Sequence, residues 1–303
     1  MTTDDLPGFF EGGMAEAQRM DSTTSRSTRE NYMTALRSLH RYLETDLPLN
    51  CIDASLIQNY ERWLLNQGVC PNSTSCYVRS LRAVLGRLAA THKIDIGQAF
   101  KSVFTGRAST SKRSITLETV RQLMDVQLID GSSMELARDI FLFCLYASGM
   151  PFVDAAFLRK SQIADGKIVY HRHKTGTRIT VIMLPCMQQI IDRYATADRE
   201  YVFPILHTME PQAAYNEYLS KLNWYNRMLK KIAVTAGIGQ PLTGYQARHT
   251  WATTAYHANV ELPVISKALG HTNPQTTLTY LREIDDCQLE KASRRVAAVI
   301  TEL

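Results

Sequence analysis

The chain has 303 residues, 45% hydrophobic and 21% charged, which suits about two folded domains and argues against wholesale disorder. The net charge of +5 is mild but uneven: residues 1–20 carry four acids and one base, whereas residues 21–113 carry thirteen bases and seven acids. Phosphate-binding loops, dinucleotide fingerprints and zinc-spaced Cys/His clusters are missing, and the six cysteines form no C-x-x-C pair, which suits a reducing cytoplasm.

The first residues, "MTTDDLPGFFEGGM", lack the basic start and apolar stretch of a signal peptide, and no apolar run reaches a membrane span, so no membrane partner is expected. Residues 1–20, with Gly12 and Gly13 and little periodicity, read as a flexible tail, too short for a separate folded domain. "STRENYMTALRSLHRYLE" then reads as a helix that Ser27 can cap, with Glu30 three positions later completing a capping box. Tyr32, Leu36, Leu39 and Leu43 form its apolar stripe, while Arg37 and Arg41 lie on another face. "ASLIQNYERWLLNQG" is a second helix, stopped by Gly68. "NSTSCYVRSLRAVLGRLAATHK" is a third, with Val78, Leu81, Leu85 and Leu88 inward and Arg79 and Arg82 largely elsewhere. Residues 21–106 therefore read as an all-helical bundle with basic side faces, fitted to a polyanion. A small, polar, basic linker over 107–114, with Lys112 and Arg113, follows.

The second domain, 115–303, opens with the capped helix "ITLETVRQLMDVQ", and "SMELARDIFLFCLYASGM" is apolar enough to be its central buried helix. In "KIVYHRHKTGTRITVIML" two β-branched runs flank "HKTG", which predicts a hairpin with Lys174 near its turn. Arg172 stands two residues earlier, so the period of a strand would turn both side chains to one face. Helices are expected over 185–197, 211–236 and 244–258, short ones over 261–270 and 274–282, and an amphipathic tail helix near 286–300 with Leu289, Val296, Val299 and Ile300 apolar. On the helix from Gly244, Tyr245, Arg248 and Ala252 share one face, and Trp251 and Ala255 can face the core. The fold class is thus mainly α: a helical bundle followed by a mostly helical domain with one small β element. Arg248, His271 and Tyr280 are then either ordinary helix residues or a cation, a titratable donor and a phenol that converge on one anion.

The pattern R-x22-H-x8-Y, with "LGH" before the histidine and "TTLTYL" around the tyrosine, resembles the tyrosine recombinase (phage integrase) family over roughly residues 27–290. "GMPFVDAAFLRKSQI" also resembles the branch of that family found on mobile elements of Bacteroidetes. The resemblance implies a core-binding, SAM-like domain over 21–106 and a catalytic domain over 115–303. It implies that Tyr280 is the nucleophile, Arg248 the second catalytic arginine, His271 the late His/Trp position, and Lys174 the lysine that protonates the leaving 5′ oxygen. The chemistry fits these residue types. A phenol can attack phosphorus and hold the strand as a 3′-phosphotyrosine. A guanidinium fork binds the nonbridging oxygens and keeps its charge. The bond energy stays in the ester, so no ATP, metal or other cofactor is expected.

Such an enzyme would integrate, excise or invert a mobile element as a homo-tetramer on double-stranded DNA, in the cytoplasm and at the nucleoid, with an accessory DNA-bending protein as a further partner. Arg37, Arg41, Arg79, Arg82, Lys112 and Arg113 are the expected DNA contacts. Two positions depart from the family. Tyr245 stands where the usual H-x-x-R has its histidine, and the place of the first catalytic arginine falls on Ser148 or Pro151, neither of them a cation. An unreplaced donor of this kind would cost roughly 100- to 1000-fold in rate. Arg172 is the expected substitute, with Arg138 and Arg159 behind it, and Asp154 matches an acidic position that supports the site. The alternatives are a DNA-binding relative whose catalysis has decayed and a type IB topoisomerase-like enzyme.

Overall fold

The computed structural model describes residues 6–20, 24–108, 114–273, 275–278, 294, 297–298 and 301. Lys112, Arg113, Tyr280 and most of the expected tail helix lie outside the described residues. The chain divides into two compact units, residues 1–111 and 112–303.

Among the described residues the first unit holds four α-helices: α1 (Phe9–Arg19), α2 (Arg26–Leu43), α3 (Ala54–Asn66) and α4 (Pro71–Thr91). The predicted stripes point inward: Leu36 and Leu39 of α2 and Val78, Leu81 and Leu85 of α4 are fully buried, against Ile57 and Tyr60 of α3. Helix α2 begins two residues earlier than a Ser27 cap requires. Ser25 is its cap, its hydroxyl accepting from the Thr28 amide, and Glu30 pairs with Arg26 at 3.1 Å instead of closing a capping box. Arg37, Arg41, Arg79 and Arg82 are exposed, as their helical spacing predicted.

The reading of residues 1–20 as a loose tail is overturned over α1. Phe9 and Ala17 are fully buried in the bundle core, and the Phe10 ring stacks on His40 at 4.2 Å. Asp46 caps the helix from a distant part of the chain, its carboxylate accepting from the Phe10 and Glu11 amides at 2.8 and 3.0 Å. Gly13, which suggested looseness, is instead a close-packing residue. A Cβ there would stand 2.7 Å from Leu36 and 3.3 Å from Leu85.

The second unit contains α5 (Leu117–Asp125), α6 (Ser133–Tyr146), α7 (Phe152–Ala156), α8 (Pro185–Tyr194), α9 (Pro211–Thr235), α10 (Tyr245–His257), α11 (Leu262–Leu269) and α12 (Gln275–Leu278). Helix α6 is the buried centre that its composition predicted, with Ala137, Ile140, Phe141 and Phe143 fully enclosed. The hairpin is present as β2 (Lys167–His171) and β3 (Arg178–Ile182), antiparallel, with Val169 opposite Thr180. A two-residue strand β1 (Ile163–Ala164) joins β2 as a third, too short to show a period. Alternate residues Ile168, Tyr170, Ile179 and Val181 are buried. Arg193 of α8 binds Glu135 and Asp139 of α6 at 3.1 and 2.6 Å, and Tyr194 donates to Asp139 at 2.8 Å, so α8 is stapled to α6 by a satisfied polar network.

The packing of α1 generates a paired test. Gly13→Val should lower stability by about 1–3 kcal/mol through overpacking against Leu36. Gly86→Ala, inside α4 where an added Cβ meets nothing within 4 Å, should raise it by roughly 0.5–1 kcal/mol. Urea titration of both variants checks the contrast, and equal effects would mean that α1 does not pack tightly.

Candidate active site

Two helix ends and one turn build the site. Helix α10 opens at Thr243–Gln246, where the Gln246 side chain accepts from the Thr243 amide at 2.6 Å, and the Gly244 amide donates to Asn226 of α9 at 3.0 Å. This fixes the start of α10 and puts Arg248 on its first turn, 2% exposed. Helix α11 stops at Gly270, whose φ of 65° is left-handed, and the chain reverses as the His271 amide donates back to the Ser266 carbonyl at 3.0 Å. A small apolar cluster of Ala252, Ala255, Ile265 and Leu269 packs α10 on α11.

A helix leaves its last carbonyls without intrahelical partners and ends in negative dipole. Here two arginines meet that end. Arg248 Nη2 donates to the Leu269 carbonyl, and its Nη1 donates to the Gly149 carbonyl at 3.0 Å. Arg172 Nη1 donates to the Gly270 carbonyl at 3.2 Å and is 7% exposed. Among the described residues no carboxylate forms an ion pair with Arg248. The Gly149 carbonyl reaches Arg248 because the chain leaves α6 through two left-handed residues, Ser148 and Gly149. A Cβ on Gly149 would press to 3.0 Å from the Arg248 Cα.

His271 is half-buried beside this pair. Its Nε2 lies 3.2 Å from Arg248 Nη2 and its Nδ1 lies 2.8 Å from Thr277 Oγ1 on α12. Burial first, then the cations Arg248, Arg172 and Lys174, push its pKa down to about 4. Asp154 on α7, 4% exposed, accepts from the His173 amide at 2.9 Å and so pins the β2–β3 turn. Burial raises its pKa, against the pull of His173 and the two arginines.

Arg248, His271, Arg172 and Lys174 thus share one electrostatic neighbourhood. Arg172 and Lys174 do not arrive there by strand alternation, however. Strand β2 ends at His171 and the chain turns, with the Thr175 and Gly176 amides donating to the Arg172 carbonyl, so Arg172 is buried and Lys174 is exposed on the turn. Tyr245 begins α10, is 45% exposed and meets the His249 ring edge-on at 4.9 Å. Arg138 is bound to Asp139 at 2.9 Å, whereas Arg159 stands at the start of the turn Lys160–Gln162 through its amide, which donates to the Gln162 side chain at 2.9 Å, and is exposed. Ser148 is half-buried and Pro151 caps α7. Sequence reasoning missed Thr277, fully buried against His271; its place three residues before Tyr280 in "TTLTYL" was the only signal.

The Phage integrase family model matches residues 113–286, and the Phage integrase SAM-like domain model matches residues 9–98. The tyrosine recombinase XerD of Pseudomonas putida is 22% identical over 270 residues, 88% of this chain and 89% of that protein. The fold is similar to the Tn1549 transposon integrase solved with transposon right-end DNA, with a TM-score of 0.71 at 13% identity, covering 96% of this chain and 100% of that one. It is also similar to the lambda integrase tetramer bound to a Holliday junction, with a TM-score of 0.67 at 16% identity, covering 91% and 78%.

The depressed His271 pKa has a stability consequence with a definite sign. Between the ordinary value of 6.5 and about 4, the unfolded chain takes up a proton that the folded site refuses, so stability is lost as pH falls through that window. His271→Gln should lose less stability than the wild type between pH 7 and about pH 4.5, as read from urea midpoints at each pH. Parallel loss in both proteins would show that the ring titrates normally.

Proposed function

The chain belongs to the phage integrase family and is a site-specific DNA recombinase; we propose that it cuts and rejoins strands of a mobile element through a 3′-phosphotyrosine on Tyr280. The observation that carries this reading is the buried Arg248 guanidinium, held beside His271 by two carbonyl dipoles while its Nε has no partner among the described residues. The two carbonyls hold it without neutralising it and leave its Nε donor unused, which suits a site awaiting a phosphodiester.

In this reading the phenol of Tyr280 gives up its proton to solvent and attacks phosphorus, the P–O5′ bond breaks, and Lys174 on the exposed turn gives a proton to the leaving 5′ oxygen. Arg248 binds a nonbridging oxygen and carries the charge that grows on it. Arg172 supplies the charge missing at Ser148, reaching the site from the base of the hairpin. Tyr245, at the usual histidine position, offers a hydroxyl at the start of α10. Asp154 holds the turn that bears Arg172 and Lys174. Attack by a 5′ hydroxyl from another strand reverses the step and completes exchange, with no net change in the number of phosphodiester bonds.

Arg37, Arg41, Arg79 and Arg82, exposed on α2 and α4, are placed by this reading on DNA phosphates, together with Lys112 and Arg113. The integrase structures named above hold DNA, one of them as a tetramer. The same partner and the same number of copies are proposed for this chain, and an accessory DNA-bending protein is a further proposal.

The test needs no knowledge of the target sequence. The protein is incubated with DNA of its source organism, denatured, and digested with nuclease and trypsin; the peptide Ala268–Arg282 should carry a nucleotide remnant, absent in Tyr280→Phe. Arg248→Ala should lower adduct formation roughly 100- to 1000-fold, and Arg172→Ala by a similar factor. An adduct at wild-type level in Arg172→Ala would sink the substitution idea. Salt-sensitive DNA binding with no adduct at all would favour a decayed binder.

A further inference from the structure

We infer that Arg248 and Thr277 together hold His271 as the tautomer protonated at Nδ1, so that a phosphate-like anion bound beside Arg248 brings one proton from solvent onto His271 Nε2. The inference rests on reading this site as the phosphate pocket. A guanidinium has donors only, so the nitrogen 3.2 Å from Arg248 Nη2 must offer its lone pair. The single proton of a neutral ring then sits on Nδ1, 2.8 Å from the Thr277 hydroxyl, which accepts it. Thr277 is fully buried, so its hydroxyl and the ring face each other inside the protein.

The groups around the ring explain why the second proton waits. Arg248 comes from α10, and Arg172 and Lys174 from the β2–β3 turn; all three are cations. Asp154 on α7 acts on both arginines, but its Oδ1 accepts from the His173 amide. Burial first, and then these three cations, oppose a second proton on the ring, in keeping with a pKa near 4. An anion reverses the balance. A bare Nε2 lone pair would repel an anionic oxygen, whereas a protonated Nε2 would donate to it. Arg248 Nη2–H, released from the ring, turns to the same anion, and the Nδ1–H bond to Thr277 stays as it was. One proton leaves solvent for each anion bound. The chain thereby gains a cation only when phosphate is present.

The test is a multiple-bond proton–nitrogen spectrum of the full chain labelled with nitrogen-15 at histidine and arginine, the His271 signal being identified by His271→Gln. At pH 7 the free protein should show a neutral ring protonated at Nδ1. Sodium sulfate, compared with sodium chloride at equal ionic strength, should protonate both nitrogens at pH 7, which requires the apparent pKa to rise from about 4 to above 7, roughly a thousandfold gain in proton affinity. Thr277→Val should lose the single tautomer and change the pH profile, and Thr277→Ser should restore both. The Arg248 side-chain signal reports occupancy separately. If sulfate shifts Arg248 while His271 stays neutral, proton uptake is refuted and the anion site stands. If sulfate shifts neither, both fall. If Thr277→Val keeps the wild-type tautomer and response, the role of Thr277 is refuted.

Discussion

The C-terminal end of α11 is the interaction on which the site depends. Its last carbonyls would be costly to bury without donors, and two arginines supply them. The bond serves both sides: two carbonyls at the helix end gain donors, and the guanidiniums of Arg248 and Arg172 are held in place. A carboxylate in the same place would have held the guanidiniums as well, but would have cancelled the field that an incoming phosphate meets. The surrounding packing follows from this constraint. The left-handed turn at Gly270 aims the carbonyls, and a Cβ there would stand 2.5 Å from Ile179 of β3. The Ala252–Leu269 cluster keeps α10 against α11, and Asp154 ties the hairpin turn to α7.

Much of this was legible in the sequence because the signals were local. The stripes of α2 and α4, the apolar α6, the β-branched runs around "HKTG", and Gly270 at the end of α11 each fix an element through its own residues. The spacing of Arg248, His271 and Tyr280 carried the family. What escaped reading depends on tertiary contact. Helix α1 has glycines that propensity alone counts against it, and only its packing on α2 and α4, with the distant Asp46 as cap, makes it a helix. The start of α2 moved because Ser25 and Ser27 are equally able caps, and position in the fold decided between them. Arg172 and Lys174 were read by strand period, which a turn between them invalidates. Thr277 could be recognised only once His271 stood beside it.

The two sets of positive charge answer to different physics. Arg37, Arg41, Arg79 and Arg82 face water, where ionic strength of about 0.15 M screens them beyond roughly 8 Å. They suit a sequence-tolerant grip on a polyanion, and their contribution fades with salt. Arg248 and Arg172 lie in the interior, where screening is weak and geometry is fixed. They suit a single phosphate in a single pose. A modest total of +5 therefore conceals a division of labour that only burial reveals.

The place of α1 also bears on how this protein can be dissected. The acidic, glycine-containing start invites a cut near residue 21, just ahead of the basic stretch. A fragment begun there would keep every basic side face yet uncover Leu36, Leu85 and Leu88, which now lie against Gly12 and Gly13. It would carry a sticky apolar groove next to its cationic surface, and self-association in the test tube would then be an artefact of the boundary. A fragment begun ahead of Pro7 keeps both the lid on that groove and the loop contact through Asp46 that holds the lid in place.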